Sequence, residues 1–572
     1  MRRGDDEFFD TLLNTSVGHG FDSQNMPTLH WVGKDKVVNH HHDVPFRVLN
    51  KVSTFTAPEG SPTNSTDNRI IHGDNLEALK SLLPEFEGRV KCIYIDPPYN
   101  TGNEGWVYND AVNDPKMKRW LGQVVGKEGE DLSRHDKWLC MMYPRLKLLH
   151  RLLSDDGVIF VSIDDNEVQH LRPVLDELFG SQNRIEQFIW KKSYGGGAKE
   201  RYAVTVHEYV LMYAKQKSLV SGLSLPPDKA AEKRYYKLTD EKVAVRGPFR
   251  VKPLEATKSM DARENLVYPI PAPDGSMVMP KRQWWWARDR TFEALANNDL
   301  YFSKTKSGAW SIQYKQYLKD DSGEHRAAKP FSILDGPYTQ AGSAALRSIF
   351  SDRPTEVFQF PKPVELIQRL LSMLPDDRNA IILDSFAGSG TTAEAVLAMN
   401  AIDGGSRRFI LVETMPYAET LTAERIRRVA CGYGETGNMT AGLGGGFDYY
   451  TVGEPIFLTD ENLNEAVGTE AIRNYVAYSE GIPAEDRATP DNPHSPYLLG
   501  LNRETAWLFH YEPERATRLD MDFLGSLRFG GDTGVGKPGT VIIYADRCLL
   551  SQEFMRGHGI IFKKIPRDIT RF

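Results

Sequence analysis

Asp96-Pro97-Pro98-Tyr99 closes the apolar run VKCIYI, with Asn100 directly behind it. The Asp96 carboxylate and the backbone carbonyl at Pro97, stiffened by proline's fixed φ, are two neighbouring hydrogen-bond acceptors. Two such acceptors can hold both N–H groups of an exocyclic amine, so that the nitrogen lone pair faces an electrophilic methyl group. They also stabilise the positive charge that grows on the nitrogen. The ring of Tyr99 can stack on a base drawn out of a duplex. The chemistry these residues suggest is methyl transfer to a base amine. Asp-Pro and Pro-Pro are also ordinary turn formers, and a turn that merely ends a strand is the plainer alternative.

A second candidate lies almost 300 positions later. ILDSFAGSGTTAEAV (382–396) reads as a strand, a tight turn and the start of a helix, and Gly388, Gly390 and Ala393 fit G-x-G-x-x-A. The glycines let the backbone bend and approach a ligand, so a branched side chain at Gly390 is expected to occupy the ligand's space. Glu413 ends the next apolar run, where a nucleotide-binding βαβ unit places its ribose-binding carboxylate. Alone, this turn also fits a dehydrogenase or a glycine-assisted strand-to-helix turn. DPPY separates these readings, because a dehydrogenase has no evident use for it.

These residues need a scaffold. NRIIHGD (68–74), VKCIYIDPP (90–98), GVIFVSIDD (157–165), HEYVLMYAK (207–215), AIILDSFAG (380–388) and RRFILVE (407–413) are short apolar runs, most of them ending in Asp, Glu or Gly. Runs of this length, apolar on both faces, suit parallel strands covered on two sides. Between two of them PRLKLLHRLL sets Leu146, Leu149 and Leu153 on one helical face. The alternation predicts a doubly wound, mostly parallel α/β sheet, with ligands at the carboxyl ends of its strands, where the acids lie. It stops between about 218 and 350, a stretch rich in Pro, Gly, Lys and Trp that reads as an insertion. At about residue 440 a third zone begins with GLGGGFDYY, which reads as a glycine-rich joint, and it holds a candidate strand in TVIIYAD (540–546). Asp164 and Glu167 read as an N-cap box for the helix NEVQHLRPVLDELFG. Three consecutive histidines in NHHHD (39–43) cannot share one face, which argues against a metal site there.

Composition narrows the class. At 572 residues, 40% hydrophobic and 26% charged, the chain is too long for one core and ordinary for a globular protein. It has no uncharged apolar run long enough to span a membrane and no signal-peptide pattern at its start, and a cytoplasmic location is expected. Four scattered cysteines form no CxxC pair, which suggests neither a zinc site nor a disulfide framework. A net charge of −7 excludes a generally basic coat but not a local basic groove.

With DPPY upstream of FAGSGTT (386–392), the sequence resembles the amino-methylating DNA methyltransferases that use S-adenosylmethionine. The order is that of their β class, which includes the modification (Mod) subunits of type III restriction-modification systems. HGDNLEAL (72–79), HDKWLCMMYPRLKLLHRLLSDDGVIFVSIDDNE (135–167), FPKPVELIQRLL (360–371) and ILVETMPYAET (410–420) extend the resemblance over about 70–215 and 358–430. It implies a Rossmann-like methyltransferase sheet with an inserted target-recognition domain and a C-terminal α+β extension. The expected division is 1–67 N-terminal extension, 68–217 catalytic half, 218–355 target recognition, 356–440 cofactor-binding half and 441–572 C-terminal domain.

By position, the resemblance makes Asp96, Pro97, Pro98 and Tyr99 the catalytic loop. Asp384, Phe386, Gly388, Ser389, Gly390, Thr391 and Glu413 become the cradle for S-adenosylmethionine, with Asp74 and Lys362 at its other end. It implies direct methylation of a flipped adenine in double-stranded DNA, with no metal and no covalent intermediate. Partners would be a second copy of the chain and a helicase-nuclease restriction subunit. Asp before PPY favours adenine; the alternatives are cytosine N4 methylation, an RNA substrate, or a silent DNA-recognition subunit. Basic residues near aromatics or glycines suit phosphate contact and stacking. They supply the DNA-binding candidates Lys191, Lys192, Lys199 and Arg201 in WKKSYGGGAKER, and Arg282 and Trp285 in KRQWWWARDR. Trp284, Trp285 and Trp286 cannot all face one way, so at least one is expected in a core.

Overall fold

The computed structural model describes residues 28–59, 67–101, 134–195, 201–225, 229–256, 263–326, 328–353, 358–374, 377–434, 439–489, 491–529 and 538–567. The chain divides into two compact units, one of Met1–Ser221, Phe331–Leu371 and Asp376–Phe572, the other of Gly222–Pro330 and Ser372–Pro375.

The first unit is built on a ten-stranded sheet. In chain order its strands are β1 Arg47–Thr56, β2 Arg69–His72, β3 Val90–Ile95, β4 Leu153–Ile163, β5 Arg184–Lys191, β6 His207–Ala214, β7 Ile333–Asp335, β8 Ile381–Asp384, β9 Arg408–Glu413 and β10 Gly446–Pro455. Their order across the sheet is β1-β10-β2-β9-β8-β3-β4-β6-β5-β7. All six apolar runs are strands, and β2, β9, β8, β3 and β4 are parallel neighbours at the centre. β6 runs antiparallel to both β4 and β5. Its beginning therefore lies at the edge where the other central strands end.

Burial follows the pleat. Ile159, Val161 and Ile163 of β4, Ile381 and Leu383 of β8, and Ile410 and Val412 of β9 join one core with three helices. These are α1 Asn75–Phe86, α2 Arg134–Leu152 and α3 Val168–Phe179. The alternate residues Val158, Phe160, Ile382, Phe409 and Leu411 are also buried, on the opposite face. Along the chain after β7 come α4 Thr339–Ile349, α5 Val364–Leu371, α6 Thr391–Asp403 and α7 Glu424–Cys431. Leu146 and Leu149 face the core from α2 as expected, whereas Leu153 is buried as the first residue of β4.

Two expectations meet a different structure. The glycines before FDYY do not form a joint, because Gly446–Pro455 is β10, paired with β1 on one side and β2 on the other. A Cβ on Gly446 would collide with the Phe55 carbonyl, so the residue is small to allow close strand pairing. Glu167 does not complete a capping box. Its side chain caps nothing in α3 and turns inward, as described below. The histidine run forms a single turn whose His41 is buried, and Lys80 donates to the carbonyl of His41 at 2.8 Å.

The C-terminal part of this unit carries a four-stranded sheet ordered Leu498–Leu501, Thr505–Phe509, Thr540–Ala545, Ile560–Lys564. It is pinned by a buried Arg567–Asp546 pair at 2.6 Å. The second unit has an antiparallel sheet of Leu300–Lys304, Trp310–Tyr317 and Phe249–Pro253 over a core that includes Trp284 and Tyr268. Among the described residues no helix is long and apolar enough to cross a membrane.

Asn68, fully buried, stitches the sheet just before β2. Its Oδ1 accepts from the Phe409 amide at 2.8 Å, and its Nδ2 donates to the Gly446 carbonyl at 2.7 Å. Asn68→Ala removes both bonds, at about 1–3 kcal/mol for each buried group left unpaired. The thermal midpoint should drop and the Phe409 amide should exchange faster in hydrogen–deuterium exchange. Unchanged exchange at Phe409 would show that the bond carries no stability.

Candidate active site

The ends of β3 and β8, adjacent in the sheet, bring the two sequence motifs together. They line one cavity of about 960 Å³, at the upper end of the range for small-molecule sites. Asp96, Pro97, Tyr99, Lys192, Glu208 and Lys362 line it, as do Asp384, Phe386, Gly388, Ser389 and Thr391.

Asp96 is the first residue beyond β3. Lys362, just ahead of α5, donates to both its oxygens, at 2.8 and 2.7 Å, and to the Tyr99 hydroxyl at 2.9 Å. That hydroxyl lies 2.9 Å from Asp96 Oδ1 and 3.1 Å from Glu208 Oε2. Glu208 Oε1 accepts from Lys192 at 2.8 Å, and Lys362 Nζ stands 3.6 Å from Glu208 Oε2. Burial would raise the Glu208 carboxyl, but the ammonium groups of Lys362 and Lys192 outweigh it and hold its pKa below the ordinary value. Burial likewise disfavours the charged Lys362, yet Asp96 and Glu208 keep its pKa above normal. Tyr99 is pushed well above its usual value, by burial first and then by the two carboxylates.

The loop is also braced from outside the cavity. The Trp138 indole donates to the Pro98 carbonyl at 2.6 Å. Asn100, in the left-handed region at φ 56°, donates through its side-chain amide to Glu167 and to the Arg134 carbonyl. Glu167 is fully buried, with the Nδ1 atoms of His135 and His170 at 2.7 and 2.8 Å from its two oxygens. Those are hydrogen-bond lengths; ligand atoms around a tetrahedral zinc sit about 3.3 Å apart.

On the other side the glycine turn is fixed by buried polar groups. Asp384 accepts from the Phe386 amide at 3.0 Å and the Thr392 hydroxyl at 2.5 Å. Glu413 accepts from the amides of Gly388 and Met415 at 2.7 and 2.8 Å, and is not among the cavity-lining residues. Arg425, fully buried in α7, donates to Glu394, to the carbonyl and hydroxyl of Ser389 and to the Thr391 hydroxyl. A Cβ on Gly388 (φ +52°) would come within 3.3 Å of Phe358, which lines the cavity. A Cβ on Gly390 (φ +83°) would instead meet Thr422 at 3.3 Å and Ile426 at 3.6 Å. Gly390 therefore serves the turn's backbone and its packing on α7, while Gly388 makes room for the Phe358 ring at the cavity wall.

The remaining candidates are dispersed. Asp74 accepts from the amides of Leu76 and Glu77 as the cap of α1, and it does not line the cavity. Lys362 has its ammonium on the Asp96 carboxylate, and its carbonyl accepts from the Thr391 hydroxyl at 3.3 Å. Lys191 pairs with Asp335 at 3.2 Å, whereas Lys192 turns into the cavity. Arg201 lies over the ring of Tyr202, and Lys199 falls outside the described residues. In the second unit Trp284 is core, its indole donating to the Tyr268 carbonyl. Trp285 is 48% exposed, and the Arg282 amide donates to Glu255. Sequence reasoning passed over Glu208. The only signal for it was a carboxylate at the start of an apolar run, and that becomes informative once the strand is known to be antiparallel.

Comparison with known proteins adds to this geometry. The DNA methylase family of N6/N4 methyltransferases matches residues 90–424. The Mod subunit of the type III restriction-modification enzyme StyLTI of Salmonella typhimurium (strain LT2) is 32% identical over 428 residues, covering 70% of this chain and 62% of that protein. The EcoPI Mod subunit of Escherichia phage P1 is 31% identical over 431 residues, covering 68% and 64%. The type II methyltransferase M.KpnI of Klebsiella pneumoniae is 32% identical over 384 residues, covering 62% and 82%. The chain thus spans a little under two thirds of the length of the two Mod subunits.

Asp384 and Glu413 supply a pH test. Burial, the largest influence on each, raises both to about 7, against hydrogen bonds that pull the other way. Between about pH 4, where free carboxyls ionise, and pH 7 the folded chain keeps protons that the unfolded chain has released. These two groups therefore lower stability as pH rises through that window, and the effect levels off above it. Relative to wild type, Asp384→Asn should flatten the fall of the thermal midpoint between pH 5 and 7. Parallel curves would rule this out.

Proposed function

The chain belongs to the DNA methylase family, and we propose that it methylates the exocyclic amine of an adenine flipped out of double-stranded DNA, using S-adenosylmethionine. The observation that carries this reading is the convergence of the DPPY loop and the glycine turn on a single cavity. The cavity suits the cofactor. Gly388 brings the turn's backbone to the cavity wall, and the glycine turn with Ser389 and Thr391 offers polar groups held in place by Arg425. Phe386 and the turn would hold the cofactor's nucleoside, and Lys362 lies between the turn and Asp96. Bound there, S-adenosylmethionine would supply the electrophilic methyl group, its sulfonium becoming a neutral thioether, and the methylated amine would give up one N–H proton to solvent.

The chain's own residues do the rest. The Asp96 carboxylate and the Pro97 carbonyl accept the amine's two N–H bonds and turn its lone pair toward the methyl group. As charge grows on the nitrogen, the same two acceptors stabilise it. The Tyr99 ring supplies a stacking face beside them. Adenine is preferred over cytosine because the acid before PPY is the pattern of the adenine-directed members that the sequence resembles.

In this reading the second unit, with exposed Trp285, reads the DNA sequence, and Arg201 and its neighbours contact phosphates. Lys192 is withdrawn from that role, since its ammonium is bonded to Glu208. A homodimer paired with a helicase-nuclease restriction subunit is the assembly proposed from the Mod-subunit likeness.

Base-resolution methylome sequencing of a host expressing this chain alone should find N6-methyladenine at one fixed sequence; methylation at cytosine alone would overturn the adenine assignment. In vitro, Asp96→Ala should lower methylation by roughly a hundredfold or more, the scale of losing one transition-state acceptor. Binding of S-adenosylmethionine should persist in calorimetry. A variant that retains activity would remove Asp96 from its proposed role.

A further inference from the structure

We infer that Glu208 is a positioning residue that takes the Lys362 ammonium from Asp96 when the target amine arrives. The inference rests on the proposed methylation and deepens it. In the structure Asp96 is occupied: Lys362 Nζ holds both of its oxygens, and the Tyr99 hydroxyl is 2.9 Å from one of them. Of the carboxylate's roughly four lone-pair sites, the ammonium takes one on each oxygen and the Tyr99 hydroxyl a third, so an arriving amine N–H meets a carboxylate already largely committed to other donors. The two donors compete for one acceptor.

Lys362 is largely buried. Its side chain is 11% exposed, and an ammonium stranded in a buried site without a counter-charge is strongly unfavourable. Glu208 offers the alternative seat. Its Oε2 lies 3.6 Å from the same Nζ, its side chain is 10% exposed, and Lys192 holds its other oxygen at 2.8 Å. The Tyr99 hydroxyl bridges the two positions, 2.9 Å from Nζ and 3.1 Å from Glu208. Closing the gap from 3.6 Å to charge-assisted hydrogen-bond length, about 2.8 Å, needs only a small swing of a flexible side chain.

The four groups form an alternating row: Lys192, Glu208, Lys362, Asp96. Moving Lys362 along that row keeps the ammonium paired and releases the Asp96 carboxylate to the neutral donors, the Tyr99 hydroxyl and the arriving amine. It also draws a positive charge away from the nitrogen on which positive charge develops. Glu208 does not touch the base; it acts through Lys362.

The test uses a duplex oligonucleotide carrying the sequence found in the methylome, with single-turnover methylation at saturating S-adenosylmethionine and DNA, and calorimetry of cofactor binding. Glu208→Gln should slow the single-turnover rate by roughly 10- to 100-fold, the scale of breaking a buried ion pair, with cofactor affinity unchanged. Adding Lys362→Met to that variant should restore at least about tenfold of the loss, since it removes the cation that blocks Asp96. Lys362→Gln serves instead if the Met variant does not hold the cofactor. A purely structural role for Glu208 would not be rescued this way. The inference is overturned if Glu208→Gln stays within about threefold of wild type, or if the double variant is no faster than the single. A wild-type chain that methylates no site would instead refute the proposed function.

Discussion

The parallel pairing of β3 with β8, Cys92 opposite Ile382 and Ile93 opposite Leu383, is the constraint on which the site depends. Each strand carries one motif at its carboxyl end, and both are buried on two faces by helices that fix their register. A slip of one residue in either strand would swap every side chain to the opposite face, misfit the packing on both sides and move Asp96 away from the glycine turn. The Lys362–Asp96 pair then joins the same two halves of the chain across a separation of 266 residues. Sheet register and ion pair place one edge of the cavity against the other, so a long chain with a second unit inserted between its motifs can still build one site.

Much of this was legible from the residues, and the unread parts share a cause. The runs ending in Asp74, Asp96, Asp384 and Glu413 are apolar on both faces, and central parallel strands carry that pattern without help from tertiary context. β5, RIEQFIWK, sets Arg184, Glu186, Gln187 and Lys191 among its apolar residues and sits near the sheet's edge, so it lacks the signal. Strand direction is written nowhere in the sequence. HEYVLMYAK was recognisable as a strand, but whether Glu208 or Lys215 faces the cavity depends on β6 being antiparallel. Likewise Gly390 and Gly446 were legible as glycines that something requires. Only the neighbours Thr422 and Phe55 reveal that the requirement is packing rather than ligand space or flexibility.

Charge burial follows one rule on the two sides of the cavity, with opposite results. Around the glycine turn, Asp384 and Glu413 are answered by amides and a hydroxyl, and burial wins: both carboxyls hold their protons to about pH 7. Around the DPPY loop, Glu208 is as deeply buried but faces two ammonium groups, and stays charged. Neutral donors give a rigid frame, and the ammonium groups give a frame in which Lys362 has two carboxylates within reach.

That difference explains why the two acceptors proposed for the amine are held so unlike each other. The Pro97 carbonyl belongs to a backbone fixed by two prolines, by the Trp138 indole on Pro98 and by the Asn100–Glu167 contact. Nothing in that set can move without unpairing a buried group, so this acceptor is set by covalent geometry and neutral bonds. The Asp96 carboxylate is held by the Lys362 ammonium and the Tyr99 hydroxyl, with a second carboxylate within reach of that cation. A site that must recognise an incoming amine benefits from such asymmetry: one acceptor already in position, and one released as the amine displaces its present partner. The rigid acceptor supplies the geometry of the transfer, and the exchangeable one keeps the buried carboxylate neutralised until a base is there to use it.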